Sequence, residues 1–187
     1  MNRLAQMVRV VHLPESIPFC GVALLGGMMP PAGDGSVSPR LVCTAVAAWC
    51  LATFAYTFND LQDRAADRRS GRKSGRPLVS GTLSVGNVIL LGTGLAAGGM
   101  AILVLAAPAY ACWAGLATLP LSIAYSWRRL PLKEVPVASS AVHLIQATLV
   151  YVMGAWTVAP ATVTPMFIGL YFGLVFAAGH LHHEVMD

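Results

Sequence analysis

Asn59-Asp60-Leu61-Gln62-Asp63-Arg64-Ala65-Ala66-Asp67 follows an apolar run and leads directly into the most basic segment of the chain. At 3.6 residues per turn, Asp60, Asp63 and Asp67 are three and four apart, so their carboxylates stack along one face of a helix ending at a membrane surface. Three like charges so placed repel unless they share a cation. Hard divalent ions such as Mg²⁺ take carboxylate oxygens together with substrate phosphates. The stretch therefore asks for a metal and an anion.

What surrounds it is bounded by composition. The chain has 187 residues, of which 56% are hydrophobic and only 11% charged, and the charges fall in a few short segments. A bilayer-spanning helix needs about 20 mostly apolar residues, and six runs approach that length: 17–32, 41–58, 85–107, 109–127, 137–159 and 161–178. The expected fold is an all-α, polytopic transmembrane bundle forming one domain over residues 1–187. The first run is broken by Pro18 and Pro30 and preceded by Glu15, so its helix is expected to begin earlier or run obliquely. Pro14, Glu15 and Pro18 also interrupt the apolar core that a cleaved signal peptide would need, which favours a retained span. Cys20, Cys43, Cys50 and Cys112 stand singly in apolar runs without metal-type pairing, and read as small core residues.

Charge placement orients the bundle. Of the twelve Lys and Arg residues, Arg3 and Arg9 precede the first span, six lie between spans two and three, and Arg128, Arg129 and Lys133 lie between spans four and five. Only Arg40 falls in an opposite-side loop. These segments share one face, which the positive-inside rule assigns to the cytoplasm, of a cell inner membrane. The net charge of +4 does not indicate nucleic acid, because the basic residues adjoin spans and no reader motif is present. In the loop after Asp67, glycines alternate with Arg72, Lys73 and Arg76, a composition able to bend over an anion and grip its oxygens. A basic juxtamembrane loop often serves topology alone; its junction with three spaced aspartates tips the reading toward a site.

Asn59-Asp60-x-x-Asp63-x-x-x-Asp67, followed by Arg76-Pro77-Leu78-x-Ser80-Gly81, resembles the first signature and adjoining loop of the UbiA superfamily of intramembrane prenyltransferases. The resemblance implies that Asn59, Asp60, Asp63 and Asp67 hold Mg²⁺ bridging to a prenyl diphosphate, while Lys73 and Arg76 receive diphosphate charge. Tyr125-Ser126, with Leu132-Lys133 at the far end of the same loop, is similar to the connection between spans four and five in several members, although Arg128 and Arg129 stand where prolines are common. Tyr125 and Lys133 become candidate site residues. That loop leans slightly toward the branch with chlorophyll-type synthases.

His143 and Gln146, three residues apart in an apolar span, are expected to hydrogen-bond between helices or to line an acceptor pocket. Gly94-x-x-x-Gly98 is expected to let helices approach closely. His180, His183, Glu184 and Asp187 can share a helical face. A zinc-protease string would need a second His where Asp187 stands. Within the resemblance Glu184 and Asp187 correspond instead to the opening acids of a second metal-binding signature. Members of the superfamily have nine spans, so the resemblance implies that the C-terminal third is missing. The expected function is Mg²⁺-dependent transfer of a prenyl group to an aromatic, quinone-precursor or other lipid-pathway acceptor, by a chain that acts alone or in a homo- or hetero-oligomer. A non-catalytic subunit that binds metal or prenyl diphosphate is the alternative. A cation transporter is the third reading, weakened because the acids cluster at one membrane face rather than near the midplane.

Overall fold

The computed structural model describes residues 10–29, 31–71, 75–130 and 132–186, the last four as backbone alone. Among these residues the structure is helical, without strands: α1 (Leu13–Met28), α2 (Pro39–Ser70), the single turn α3 (Pro77–Ser80), α4 (Val85–Ala106), α5 (Ala109–Ser126), α6 (Pro136–Val158) and α7 (Thr164–Met186). A short 3₁₀ turn, Leu132–Glu134, precedes α6.

Local chemistry sets the boundaries. Ser38 caps α2, its hydroxyl accepting from the Leu41 amide at 3.2 Å, and Pro39 supplies the preset φ of a first helical residue. Gly71, at φ 68°, closes α2 in the left-handed conformation. Ser84 caps α4 in the same manner through the Asn87 amide. As expected from its prolines and Glu15, the first span starts early, at Leu13. The second does not end where its apolar run does. It continues as one helix from the membrane segment through all three aspartates, which places the acid face on a rigid rod.

Among the described residues, four helices are long and apolar enough to cross a membrane by themselves: α2, α4, α6 and α7. α1 is shorter at 16 residues, and the 18 residues of α5 include Pro120, Thr118 and Ser122. Leu90, Val104, Leu105, Trp113 and Phe167 are each at least 67% exposed on the outside of the bundle, as lipid-facing side chains would be. The chain is an integral membrane protein.

α2 and α6 form the centre, with α2 packed on α1, α4 and α5 and α6 packed on α1, α5 and α7. In lipid the hydrophobic effect does not draw helices together, so small residues and close contact must do it. The core fits that demand: Ala23, Ala45, Ala47, Ala48, Ala114 and Ala155 surround Leu51, Tyr151 and Met153. α1 and α6 cross so closely that a Cβ on Gly26 would collide with the Tyr151 carbonyl oxygen, and one on Gly154 with that of Ala23. Thr44 and Thr157 share a buried hydroxyl hydrogen bond of 3.0 Å between α2 and α6.

Two sequence expectations shift here. Gly94 and Gly98 have open space where their Cβ atoms would be; Gly92 and Gly99 instead face α2, against Thr57 and Cys50. The helix presents a seven-residue spacing to its neighbour rather than a four-residue one. Among the cysteines, Cys50 is buried and Cys20 and Cys112 are partly so, whereas Cys43 is exposed on the outer side of α2.

Candidate functional site

The acidic face of α2 meets its partners from three separate segments. Asp60 and Asp67 are both buried, at 7% exposure. Arg76, at the start of α3, donates through one nitrogen, Nη1, to Asp60 at 2.5 Å and to Asp67 at 3.4 Å. The two carboxylates therefore converge on one point although a full two turns of helix separate them. Asp63 accepts from Nζ of Lys133, which also donates to Asn59 Oδ1 at 2.9 Å. Ser126 donates to the same Asn59 oxygen at 3.0 Å.

α3 brings Arg76 into place. Leu78, Leu83, Val10 and Val88 form a small core of their own beside Leu61. Arg64 and Arg68 donate from α2 to the carbonyl oxygens of Leu78 and Val79. Gly81, at φ 77°, turns the chain back toward α4. The 3₁₀ turn after α5 does the same for Lys133.

His12 is the residue that the motif reading missed. Its Nε2 lies 2.8 Å from Asp60 Oδ2 and its ring stacks on Tyr56 with centroids 5.4 Å apart. It is the non-glycine residue with positive φ among the described residues, at φ 49°, ψ 50°. That conformation costs roughly 1 kcal/mol, and the contacts to Asp60 and Tyr56 offset it. The available signal was faint: a lone polar ring at the start of an apolar run, 48 residues from its partner.

Below the acids, toward the middle of the bundle, a cavity of about 140 Å³ opens between α1, α2, α5 and α6. Its floor is apolar, from Phe19, Leu51 and Val150, and its polar wall includes Asn59, Tyr125, His143 and Gln146. Gln146 donates to Ser122 Oγ at 2.8 Å, so this glutamine both ties α6 to α5 and lines the cavity. His143 Nδ1 lies 3.0 Å from the Ser139 carbonyl; because a carbonyl only accepts, that nitrogen carries the proton. His180 joins this wall from α7, with Tyr125 OH and Ser139 Oγ each 3.1 Å from its Nε2 and its ring centroid 3.9 Å from that of His143. His180 thus meets Tyr125, Ser139 and His143, while the side chains of the C-terminal acids with which it can share a helical face lie outside the described residues.

Of the residues singled out in the sequence, Asn59, Asp60, Asp63, Asp67, Arg76 and Lys133 are brought together as one polar cluster, and Tyr125, His143 and Gln146 as the wall beneath it. Arg72, Lys73 and Asp187 lie outside the described residues, as do the side chains of His183 and Glu184. Among the described residues no three His, Cys, Asp or Glu side chains form a self-sufficient metal cage. The groups with the right chemistry for a hard cation are the carboxylates of Asp60, Asp63 and Asp67 and the Asn59 amide oxygen.

Comparison with known proteins agrees in kind. Residues 19–187 match the UbiA prenyltransferase family. A stretch of 74 residues is 42% identical to the protoheme IX farnesyltransferase of Synechococcus sp. (strain WH7803), covering 40% of this chain and 22% of that protein. A stretch of 109 residues is 32% identical to the mitochondrial 4-hydroxybenzoate polyprenyltransferase of Saccharomyces cerevisiae, covering 58% of this chain and 29% of that protein. The chain thus spans between 22% and 29% of the length of these curated relatives. Neither name is that of a chlorophyll-type synthase, toward which the span-four loop leans. No solved structure matches.

Proposed function

Starting from the fact that the chain belongs to the UbiA prenyltransferase family, we propose that it transfers a prenyl group, within the membrane, from a prenyl diphosphate to an aromatic, quinone-precursor or other lipid-pathway acceptor, with Mg²⁺ required. The observation that carries this reading is the convergence of Asp60 and Asp67 on one Arg76 nitrogen, beside the Asp63–Lys133 pair, at the mouth of an apolar cavity. Three carboxylates there are held by two permanent cations, Arg76 and Lys133. A diphosphate arriving with a divalent ion carries both signs, and can enter by exchanging partners: the acids and Asn59 turn to the metal, Arg76 and Lys133 to the phosphate oxygens. The donor set suits Mg²⁺, which is bound through one or two carboxylates plus substrate phosphates rather than by a protein cage. When bound, the ion supplies charge neutralisation for the departing diphosphate.

The chain's own residues do the rest. Arg76 offers a planar fork to phosphate oxygens, and Lys133 a point charge held over the same site by Asn59. Fixed cations stabilise charge most where it develops on the leaving group. Lys73 and Arg72 extend that basic loop in sequence. The apolar floor of Phe19, Leu51 and Val150 excludes water from the allylic carbon. Tyr125, His143 and Gln146 present hydrogen-bonding groups to an acceptor. Glu184 and Asp187 contribute acids from the second signature. The acid-bearing end faces the cytoplasm of the inner membrane, in keeping with the basic segments beside it.

The test is transfer of labelled prenyl groups in membranes containing the chain, with 4-hydroxybenzoate and protohaem IX offered as acceptors. Product that depends on Mg²⁺ and disappears in Asp63→Asn supports the reading. Tight binding of prenyl diphosphate with no product from any acceptor would replace it with a binding subunit.

A further inference from the structure

The acid-bearing end of α2 also has a purely basic side. Arg64, Arg68 and Arg128 border a pocket of about 310 Å³ with Leu61, Gln62 and Ala65. Arg64 and Arg68 are each anchored through Nε, on the carbonyls of Leu78 and Val79 at 3.3 and 3.2 Å, which fixes the guanidinium planes and leaves their outer edges for another acceptor. Among the described residues, the carboxylates that form ion pairs do so with His12, Arg76 and Lys133, and none with Arg64, Arg68 or Arg128. Three cations without a counter-charge, side by side, call for an anion.

The pocket does not stand alone. Leu61 and Gln62 also close one end of a groove of about 460 Å³ between α2 and α4, whose walls include Phe54, Phe58, Val88 and Ile89. The basic pocket therefore adjoins, across Leu61 and Gln62, an apolar groove running along the membrane-spanning part of two helices. Ile89 is 47% exposed, so the groove faces the lipid side of the bundle. Gly92 lets α4 pack closely on Thr57 at this groove, where a Cβ would lie 3.1 Å from the Thr57 hydroxyl.

We propose that this combined surface binds one anionic phospholipid, with its phosphate among Arg64, Arg68 and Arg128 and an acyl chain in the α2–α4 groove. Charge complementarity selects the anionic headgroup, and the apolar groove on the other side of Leu61 and Gln62 selects a lipid over a free phosphate. A prenyl diphosphate would need acids to share a divalent ion, and the pocket lining contains none. The site is separate from the cavity beneath the aspartates and requires nothing of the catalytic reading.

Titration of detergent-solubilised protein with phosphatidylglycerol or phosphatidylcholine, read by native mass spectrometry, tests this. One phosphatidylglycerol is retained in preference to phosphatidylcholine. Arg128→Gln weakens that binding about fivefold, the effect of one juxtamembrane cation, and Arg68→Gln combined with it about 25-fold. Arg128 sits in the loop after α5 with no hydrogen bond among the described residues, so its replacement leaves the fold intact. Ile89→Trp, which fills the groove, also weakens phosphatidylglycerol binding. Equal retention of both lipids, unchanged affinity in Arg128→Gln, or displacement of the lipid by inorganic phosphate or prenyl diphosphate would each overturn the proposal.

Discussion

The upper and lower halves of the candidate site are built on opposite plans. Above, every contact involves a carboxylate or an amide oxygen, and the partners come from the segment before α1, from α2, from α3, from the last residue of α5 and from the turn before α6. Below, Tyr125, Ser122, Ser139, His143, Gln146 and His180 meet with no carboxylate, Arg or Lys in their contacts, all carried by α5, α6 and α7. Partners held on loops and a short helix can exchange. Partners on neighbouring packed helices stay where they are. A region that must accept and release a diphosphate gains from the first plan, and one that must orient an acceptor gains from the second.

Substitutions that strike one half alone test this division. The largest effect is expected from Asp60→Ala, which strips Arg76 and His12 of a shared partner. Transfer should fall by about 10³-fold or more, with membrane insertion unchanged in a fractionation assay; retained turnover would remove the acid from the mechanism. Arg76→Ala should cost about 10²-fold in kcat/KM for the prenyl diphosphate and leave the acceptor KM in place. Equal losses for both substrates would reduce Arg76 to loop structure and erase the contrast between the halves. Gln146→Leu is the mirror experiment: a lost buried hydrogen bond should raise the acceptor KM about tenfold, without altering the diphosphate KM. The smallest effect is expected at the boundary. His12→Phe keeps an aromatic ring on Tyr56 but loses the bond to Asp60, and activity should drop about fivefold, with His12→Gln recovering part of it. No change in either variant would confine His12 to shaping the entry to α1.

The two halves also differ in how openly the chain declares them. The acid face was legible because a helix repeats every 3.6 residues, so Asp60, Asp63 and Asp67 share a face wherever that helix sits. Arg76 was legible because it lies in the string that follows. The helical spans could be read from apolar length alone. The wall beneath the acids was only half visible. His143 and Gln146 announced themselves as polar residues in an apolar run, but Ser122, Ser126 and Ser139 are common in membrane helices, and only packing decides which of them meets a partner. The helical face of His180 follows from spacing along α7, but its contact with His143 across the α6–α7 crossing does not. The same holds for the glycines of α4. A four-residue spacing signals close approach to some helix, yet the rotation of α4 about its axis, set by contacts elsewhere, brought Gly92 and Gly99 to α2 instead.

The separation along the chain between each acid and its cation bears on how the protein is made. Asp60 leaves the ribosome after His12 and 16 residues before Arg76, whereas Asp63 precedes Lys133 by 70 residues. For that interval α4 and α5 must be threaded into the bilayer while Asp63 waits without its ammonium partner. Its position beyond the apolar run lets water stand in for the missing cation, a substitution that would be costly at mid-bilayer. The placement of the acids past the membrane segment thus serves biogenesis as well as chemistry: the most strongly charged part of the protein can be synthesised early and completed late.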